Sequence, residues 1–297
     1  MHPRQPSRLS GHIATLTAIT IWAITYVFTK GLLVYLTPSQ ILVIRSFLGL
    51  LVLTILAAKP LAYTQKSDRL LVALAGFFGI FAYYFLENTA LLYTSATNVG
   101  VIVAAAPFTT MLASRIFLKE QLHRFYFIGL VLSMSGIVLL TVSDAGALTF
   151  NPKGDLLALL AITIWALYTT TTRLVSQRGY SNLALTRTMF FWGLIGHTVA
   201  LLASGQGLPL QVVVQPQVLG PLLFLGLAAS ALCFALWNYG LKSIGPVKTT
   251  FYLYLSPIIT IIFATTFGGE PFGIIEAIGT ALTLSGLLVS TRKGSKA

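Results

Sequence analysis

The chain has 297 residues, of which 56% are hydrophobic and only 9% are charged, and its mean hydropathy is +0.85. A soluble domain is about 25% charged, so this composition excludes a soluble enzyme, a disordered chain and a nucleic-acid-binding domain. The net charge of +12 fits cations in the cytoplasmic loops of a membrane protein better than a nucleic-acid site.

Apolar stretches long enough to cross a bilayer follow one another along the chain. A hydrocarbon core about 30 Å thick needs about 20 helical residues. These stretches predict an all-α membrane protein with ten transmembrane helices joined by short connections, the longest being 205–216. The predicted spans are 12–35, 38–58, 70–93, 95–117, 124–143, 154–175, 180–204, 217–241, 246–268 and 271–291.

The distribution of Lys and Arg predicts the orientation. If the N-terminus lies inside, nearly all cations of the connections fall on the cytoplasmic side, and Lys30 and Lys153 are the exceptions. Cytoplasmic loops carry such an excess of Lys and Arg. We therefore expect a multi-pass protein of the cell (cytoplasmic) membrane with both termini in the cytoplasm.

The chain contains an internal duplication. The segment AITIWA occurs at 18–23 and again at 161–166, an offset of 143 residues. Farther along, identical residues recur at an offset of 150, which predicts two five-helix halves, 1–145 and 150–297. The pairs at this second offset include Gly76 with Gly226, Asn88 with Asn238, Pro107 with Pro257, Glu120 with Glu270, Gly129 with Gly279 and Gly136 with Gly286.

An odd number of helices in each half has a topological consequence. The second half must enter the membrane from the opposite side, so the sequence predicts inverted repeats related by a pseudo-twofold axis in the membrane plane. Secondary transporters commonly have this arrangement. Two similar halves can exchange conformations, and a site between them then faces each side in turn.

A set of short motifs recurs in both halves. The first half has Trp22, the segment NTALLYTSA at 88–96, Pro107, the segment LKE at 118–120, and Gly129 through Gly136; the second has Trp165, Asn238, Pro257, Gly269-Glu270, Gly279 and Gly286. With these motifs the chain resembles the EamA-type branch of the drug/metabolite transporter superfamily over nearly its whole length. It departs from the family at Ala23, where members often carry Gly or Ser after the first Trp.

The resemblance implies several properties. It implies ten helices with both ends cytoplasmic and a central cavity lined mainly by helices 1, 3, 4, 6, 8 and 9, with helices 5 and 10 at the periphery. Family substrates include amino acids, other metabolites and drugs, and transport is often export.

Glu87 is the first candidate for a functional group. Besides Glu276 it is the only carboxylate well inside a predicted span, where a charge costs about 2.5–3.5 kcal/mol on insertion scales. Glu87 is a candidate for proton coupling or for binding a substrate ammonium group. The alternative is a structural carboxyl, neutral or paired with Arg45.

Aromatic and amide side chains form the remaining candidate cavity. Aromatic rings can stack on a substrate or close a gate, although most membrane aromatics serve packing or anchoring. Each amide in the membrane must be hydrogen-bonded and could bind substrate or hold neighbouring helices together. The candidate substrate-binding residues, with Glu87, are Trp22, Tyr26, Tyr83, Tyr84, Asn88, Trp165, Tyr168, Trp237, Asn238, Tyr252 and Tyr254.

Two arginines lie within predicted spans at nearly mirrored positions, Arg45 and Arg187. A buried guanidinium could bind a carboxylate through two hydrogen bonds or could cap helix-end carbonyls. Because both residues are near span ends, the sequence favours snorkelling to the membrane interface.

Other mirrored residues suggest mechanical roles. Pro107 and Pro257 lie mid-span and remove a backbone hydrogen bond, so we expect paired hinges for gating, with a static kink as the alternative.

The small residues Gly129, Ser133 and Gly136, repeated as Gly279, Thr283 and Gly286, predict close helix packing within a half or at a dimer contact. Glu120 and Glu270 are expected to fix short turns by accepting backbone N–H bonds.

These features predict a function. No phosphate-binding loop of the G-x-x-x-x-G-K-[ST] type occurs, and the four histidines show no metal-ligand spacing, so we expect no cofactor, no metal and no enzymatic activity. The sequence predicts a secondary transporter that moves a small organic solute by alternating access, using a solute or proton gradient. We expect the bilayer and the solute as partners, no nucleic acid, and a monomer or weak homodimer.

Two other functional classes are alternatives to transport. An intramembrane lipid-modifying enzyme would need clustered His, Asp, Glu or Cys, whereas these residues are scattered along the chain. A membrane scaffold or receptor gains no advantage from an inverted duplication.

Overall fold

The computed structural model describes residues 8–57, 59–94, 96–143, 151–256, 258–259, 262 and 273–291, and the regular structure in these ranges is entirely helical. The membrane-protein class and the all-α fold predicted above are thereby confirmed. The helices are α1 (Arg8–Leu32), α2 (Pro38–Leu56), α3 (Lys66–Ala90), α4 (Ala96–Ala104 and Ala106–Phe117), α5 (Arg124–Ser143), α6 (Pro152–Ser176), α7 (Asn182–Ala203), α8 (Pro216–Ile244), α9 (Pro246–Phe251, continued by a 3-10 turn, Tyr252–Tyr254) and α10 (Ile274–Thr291).

Seven helices in the described residues are long and apolar enough to cross a membrane, namely α1 to α4 and α6 to α8. The sequence predicts ten. The other three are α5 and α10, which contain shorter apolar stretches, and α9, much of whose predicted span lies outside the described residues. The predicted loop 205–216 contains a single-turn helix, Leu210–Val213. The sequence did not predict this helix because glycines and prolines flank it on both sides.

Local sequence explains where several helices begin. Prolines occupy the first turn of α2, α6, α8 and α9, where the missing N–H has no intrahelical partner to lose. At α6, the Asn151 side chain also accepts a hydrogen bond from the Gly154 N–H at 3.2 Å. Gly245 separates α8 from α9 with a φ of +87°, a conformation that favours glycine.

Both α3 and α8 contain a π-helical segment at their centre. These segments are Gly76–Ala82 and Phe224–Leu232, and they end at positions 150 residues apart. Widened turns of this kind disturb the normal hydrogen-bond ladder and are frequent at functional sites. In each segment, one backbone carbonyl accepts a hydrogen bond from a side chain of another helix. Trp22 Nε1 lies 2.8 Å from the Ala229 oxygen, and His197 Nε2 lies 2.7 Å from the Ile80 oxygen.

The helix α4 is broken at Ala105, two residues before Pro107. Its two parts meet at Ala105, whose backbone φ and ψ are −81° and −2°, and Pro107 is buried just after the break. In α9 the 3-10 turn Tyr252–Tyr254 precedes Pro257. Pro257 itself lies outside the described residues, so the structure describes the position of only one of the two prolines.

Glycines allow helices from the two halves to approach closely. A Cβ atom on Gly76 in α3 would lie 2.4 Å from the Met189 carbonyl oxygen in α7. A Cβ atom on Gly226 in α8 would lie 2.5 Å from Cβ of Leu48 in α2. Each π-helical segment therefore packs against a helix of the other half, and no larger residue fits without movement.

The helices α5 and α10 cross in close contact. A Cβ atom on Gly129 would lie 2.5 Å from the Gly286 oxygen, and one on Gly136 would lie 2.5 Å from the Gly279 oxygen. The pairs run in opposite sequence order, so the two helices cross antiparallel. Ser133 Oγ donates to the Thr283 carbonyl at 3.1 Å across the contact. The predicted small-residue packing thus joins the two halves rather than helices of one half.

A buried ion pair that the sequence analysis did not anticipate closes one rim of the bundle. Asp68, near the start of α3, is fully buried and pairs with Arg178 in the connection between α6 and α7. Its other carboxylate oxygen accepts a hydrogen bond from Tyr180 Oη at 2.5 Å, and Tyr180 Oη in turn accepts from the Thr64 N–H at 2.7 Å. These contacts fix two connections from different halves to each other.

The crossing of α5 and α10 predicts a specific cost for a single methyl group. We expect Gly136→Ala to lower stability by about 1–3 kcal/mol, because the added Cβ overpacks the contact with Gly279 and Thr283. Thermal unfolding in detergent measures the change. The control is Gly31→Ala in α1, where a Cβ atom meets nothing within 4 Å. Equal midpoints for the two variants would contradict the close contact.

The ion pair at the rim predicts a second loss of stability. We expect Asp68→Asn to destabilise the protein by about 1–3 kcal/mol, less than a fully buried pair costs, because Arg178 is partly exposed to solvent. The matched control is Lys66→Gln, which changes an exposed charge two residues earlier on α3. The unfolding midpoint in detergent should fall for Asp68→Asn only, and a drop of the same size in both variants would assign the effect to general surface charge.

Candidate functional site

Aromatic side chains from four helices meet at the centre of the bundle. We call them the central aromatic cluster, and none of them is more than 9% exposed. Six of its members come from the predicted candidate set, and both halves of the chain contribute. The members are Trp22, Tyr83, Tyr84, Trp165, Tyr168, Phe234 and Trp237.

The three tryptophans form the middle of this cluster. The Trp22 ring centroid lies 5.8 Å from that of Trp165 and 5.3 Å from that of Trp237, and the Trp165 and Trp237 centroids are 5.4 Å apart. Tyr83 and Tyr168 pack on Trp165 with centroid distances of 4.6 and 4.9 Å. The edge-to-face and tilted arrangements are those that aromatic quadrupoles prefer, so the rings support one another in the closed packing seen here.

Phe234 is a member that the sequence analysis missed. Its ring contacts Trp22 at 5.4 Å, Trp165 at 6.2 Å and Tyr84 at 5.9 Å. A signal for it existed, because Phe234 stands 150 residues after Tyr84, the same offset that pairs Asn88 with Asn238. The repeat therefore contained a signal for an aromatic residue at this position, although the sequence analysis did not use it and neither composition nor hydropathy distinguishes Phe234.

Glu87 lies beside the cluster and is 5% exposed. Its Oε1 atom accepts a short hydrogen bond from Tyr83 Oη at 2.5 Å. Tyr83 is one turn earlier on the same helix and packs on Trp165, so the carboxyl group is connected to the aromatic rings. This geometry gives Glu87 a direct polar link to the bundle centre.

The mirrored asparagines have different surroundings. Asn238 holds helices together, because its Oδ1 accepts a hydrogen bond from Tyr168 Oη in α6 and its Nδ2 donates to Thr186 Oγ1 in α7 at 2.9 Å. Asn88 is equally buried, yet its Nδ2 has no acceptor among the described residues. The structure thus separates a helix-joining amide from an amide with a free donor.

Arg45 is buried deep in the helix bundle and is 3% exposed. Its guanidinium lies over the Tyr84 ring, with Cζ 4.2 Å from the ring centroid, and its Nε donates to Ser230 Oγ at 3.1 Å. Arg45 shares the buried face of α2 with Leu42 and Gly49, so this residue points inward. The predicted snorkelling of Arg45 is therefore wrong: the face of the helix decides its direction, not its distance from the helix end.

Arg187 behaves differently from its near-mirror Arg45. Its Nη1 donates to the Ala57 carbonyl at 2.5 Å, at the C-terminal end of α2. This is the helix-capping alternative weighed in the sequence analysis. It satisfies a carbonyl that the end of a helix leaves without a partner.

Two further candidate residues, Tyr252 and Tyr254, have contacts outside the central aromatic cluster. Tyr252 Oη lies 2.7 Å from His12 Nδ1 near the start of α1. Tyr254 is fully buried and packs on Phe251, with a centroid distance of 5.7 Å, in a separate apolar cluster. The side chain of Tyr26 lies outside the described residues.

A pocket of about 300 Å³ lies where the connection between α4 and α5 meets the one between α8 and α9. Glu120, His123, Tyr126 and Lys248 are among its lining residues. Burial raises the pKa of the Glu120 carboxyl above its ordinary value, and the cations Arg173 and Lys248 counteract part of this shift. The carboxylate makes no hydrogen bond to a backbone N–H of a described residue, so its predicted turn-fixing role is absent from this part of the chain.

Metal binding has no support in the described part of the chain. No three His, Cys, Asp or Glu side chains there lie close enough together to hold an ion. The chemistry of the centre is that of aromatic faces, amide and guanidinium donors, and one carboxyl group.

The fold is that of a polytopic helical membrane protein. The chain belongs to the EamA-like transporter family, which matches it twice, at residues 9–142 and 152–292. It is a membrane transporter of small solutes.

Similar proteins agree with this assignment. An uncharacterized transporter of Archaeoglobus fulgidus is 28% identical over 287 residues, covering 95% of this chain and 97% of that protein. A probable terminal-alkyne amino-acid exporter of Streptantibioticus cattleyicolor is 25% identical over 240 residues, covering 80% of this chain and 79% of the exporter. A protein of known crystal structure shares the fold with a TM-score of 0.77 at 22% identity, covering 96% of this chain and 97% of that one.

Proposed function

We propose that the protein is a ten-helix secondary transporter of the cytoplasmic membrane that works by alternating access. Its two five-helix repeats, 1–145 and 150–297, have opposite orientations and hold the substrate between them. The observation that carries the proposal is the central aromatic cluster, because both halves contribute to it and it contains the mirrored pair Trp22 and Trp165. A site at a repeat interface is characteristic of transporters built in this way.

Mirrored contacts support the inverted repeat. Gly11 at the start of α1 packs on Ser243 and Ile244 at the end of α8. Gly154 at the start of α6 packs on Thr94 after the end of α3. The offsets of 143 and 150 residues convert one contact into the other. The antiparallel crossing of α5 and α10 also maps onto itself at the offset of 150.

The number of crossings and the orientation are part of this proposal. The helix α5 has 20 residues and α10 has 18, and at about 1.5 Å per residue each approaches the thickness of the hydrocarbon core. With α9 they bring the count to ten, which places both termini on one side. The excess of cations on that side supports a cytoplasmic location of the termini.

The substrate is a small organic solute such as an amino acid, another metabolite or a drug-like compound, and the direction is export. The similar probable terminal-alkyne amino-acid exporter supports both points. A solute or proton gradient supplies the free energy, and no covalent chemistry on the substrate is required. Glu87 is the proposed proton-coupling group, because it is the buried carboxyl that the bundle connects to the aromatic centre.

The proposed coupling role predicts the behaviour of Glu87→Gln. The variant cannot exchange a proton at this position, so the stimulation of transport by a pH gradient should disappear while exchange of substrate across the membrane continues. Proteoliposomes loaded with radiolabelled apolar amino acids, with and without a pH gradient, measure both rates. Glu276→Gln, which changes the other carboxylate within a predicted span, is the control. Undiminished stimulation in Glu87→Gln would remove Glu87 from the coupling role.

The break in α4 predicts the behaviour of Pro107→Ala. Restoring a backbone N–H stabilises a continuous helix, so the exchange rate should fall more than the affinity for substrate. The two quantities are measured by counterflow in proteoliposomes and by the ligand-induced shift of the unfolding midpoint. Normal turnover in this variant would mean that the break at Ala105 is a static kink that shapes the interior.

A further inference from the structure

The guanidinium of Arg45 is a buried cation whose hydrogen-bonding capacity is incompletely used. Its Nη2 atom is buried and has no acceptor among the described residues. Tyr84 contacts the group with its ring face and Ser230 with its hydroxyl, so part of the donor capacity of the guanidinium is left for a ligand. A charged side chain inside a membrane protein is costly and is usually retained for a function.

The central aromatic cluster and its surroundings contain other buried N–H donors that lack an acceptor among the described residues. Asn88 Nδ2, Trp165 Nε1 and Trp237 Nε1 have no acceptor among the described residues, and all three side chains are nearly completely buried. Tyr84 and Asn88 are four residues apart on α3 and therefore lie on one helical face. Buried donors without acceptors destabilise a protein, so a ligand that brings acceptor oxygens gains affinity here.

We infer that the substrate carries a carboxylate group and that Arg45 is the residue that binds it, with Asn88 as an additional donor. The inference rests on the proposed transport function and makes it more specific. A guanidinium can hold a carboxylate by two parallel hydrogen bonds. The organic part of the substrate then packs on the aromatic rings, which suits an apolar or aromatic side chain.

The charges of the site limit the anion to a single negative charge. Glu87 is hydrogen-bonded to Tyr83. The next residue in the sequence, Tyr84, has the guanidinium of Arg45 over its ring. A second negative charge on the ligand would therefore face the carboxyl group of Glu87. An ammonium group on the ligand would instead be attracted to it, which is the arrangement of an α-amino acid. A phosphate or a dicarboxylate does not match this pattern.

The first arm of the test uses the wild-type protein. The probes are L-amino acids with apolar or aromatic side chains, their amides, and the corresponding amines that lack the carboxyl carbon. Competition against transport in proteoliposomes and the shift of the unfolding midpoint rank them. Each effective amino acid should bind about tenfold or more tightly than its own amide, because the charge-assisted pair is lost in the amide. Equal affinity for acid and amide would overturn the inference.

The second arm compares variants. In Arg45→Gln the preference for acid over amide should fall to within about threefold, while Arg45→Lys keeps part of it, because a lysine retains the charge and loses the fork. The matched control is Arg187→Gln, which removes an arginine that caps the end of α2. This variant should keep the wild-type preference for acid over amide. An unchanged preference in Arg45→Gln would assign carboxylate recognition elsewhere and overturn the inference.

The outcomes separate this inference from the proposed function. Transport of amides or amines without preference for the acids would overturn the role of Arg45 and leave the transporter intact. A protein that moves none of the probes, charged or neutral, would count against both. Should Arg45→Gln fail to fold, Asn88→Ala provides a variant with a smaller buried change, for which the acid-over-amide preference should fall by about three- to tenfold.

Discussion

The requirement that every backbone polar group in the bilayer find a partner governs this structure. Helices meet it within each segment, which is why the regular structure in the described residues is helical. Departures from the ideal helix occur in the interior, and side chains from other helices supply the partners there. Trp22 donates to the Ala229 carbonyl in one π-helical segment, and His197 contacts the Ile80 carbonyl in the other. The irregular backbone is therefore tied to the contacts between the halves.

Close approach of helices is the second condition for the buried centre. Dispersion contacts, rather than a hydrophobic effect, must hold helices together in lipid, and glycines at Gly76 and Gly226 let the π-helical segments pack directly on neighbouring backbones and side chains. This approach brings Tyr84 under the guanidinium of Arg45 and brings Trp22 against Trp165 and Trp237. The contacts among the polar and aromatic side chains of the interior thus depend on glycines, which have no side chain.

The two halves are similar in architecture and different in chemistry at the centre. Glu87 in the first half corresponds by the offset of 150 to Trp237 in the second, and Tyr84 corresponds to Phe234. Asn238 joins α6, α7 and α8 by hydrogen bonds, whereas the Nδ2 of its counterpart Asn88 has no acceptor in the described part of the chain. The two halves therefore place different side chains at corresponding positions of the sequence.

The sequence by itself determined the class of protein, most helix bounds, the duplication and six of the seven residues that meet in the central aromatic cluster. It could do so because hydropathy over about 20 residues and a repeated offset are one-dimensional signals. Only the tertiary structure decided which way Arg45 points, that Arg187 caps α2, that Asp68 pairs with Arg178, and that the small residues of α5 meet those of α10. These outcomes depend on which face of a helix meets which neighbour, and distance along the chain carries no information about that.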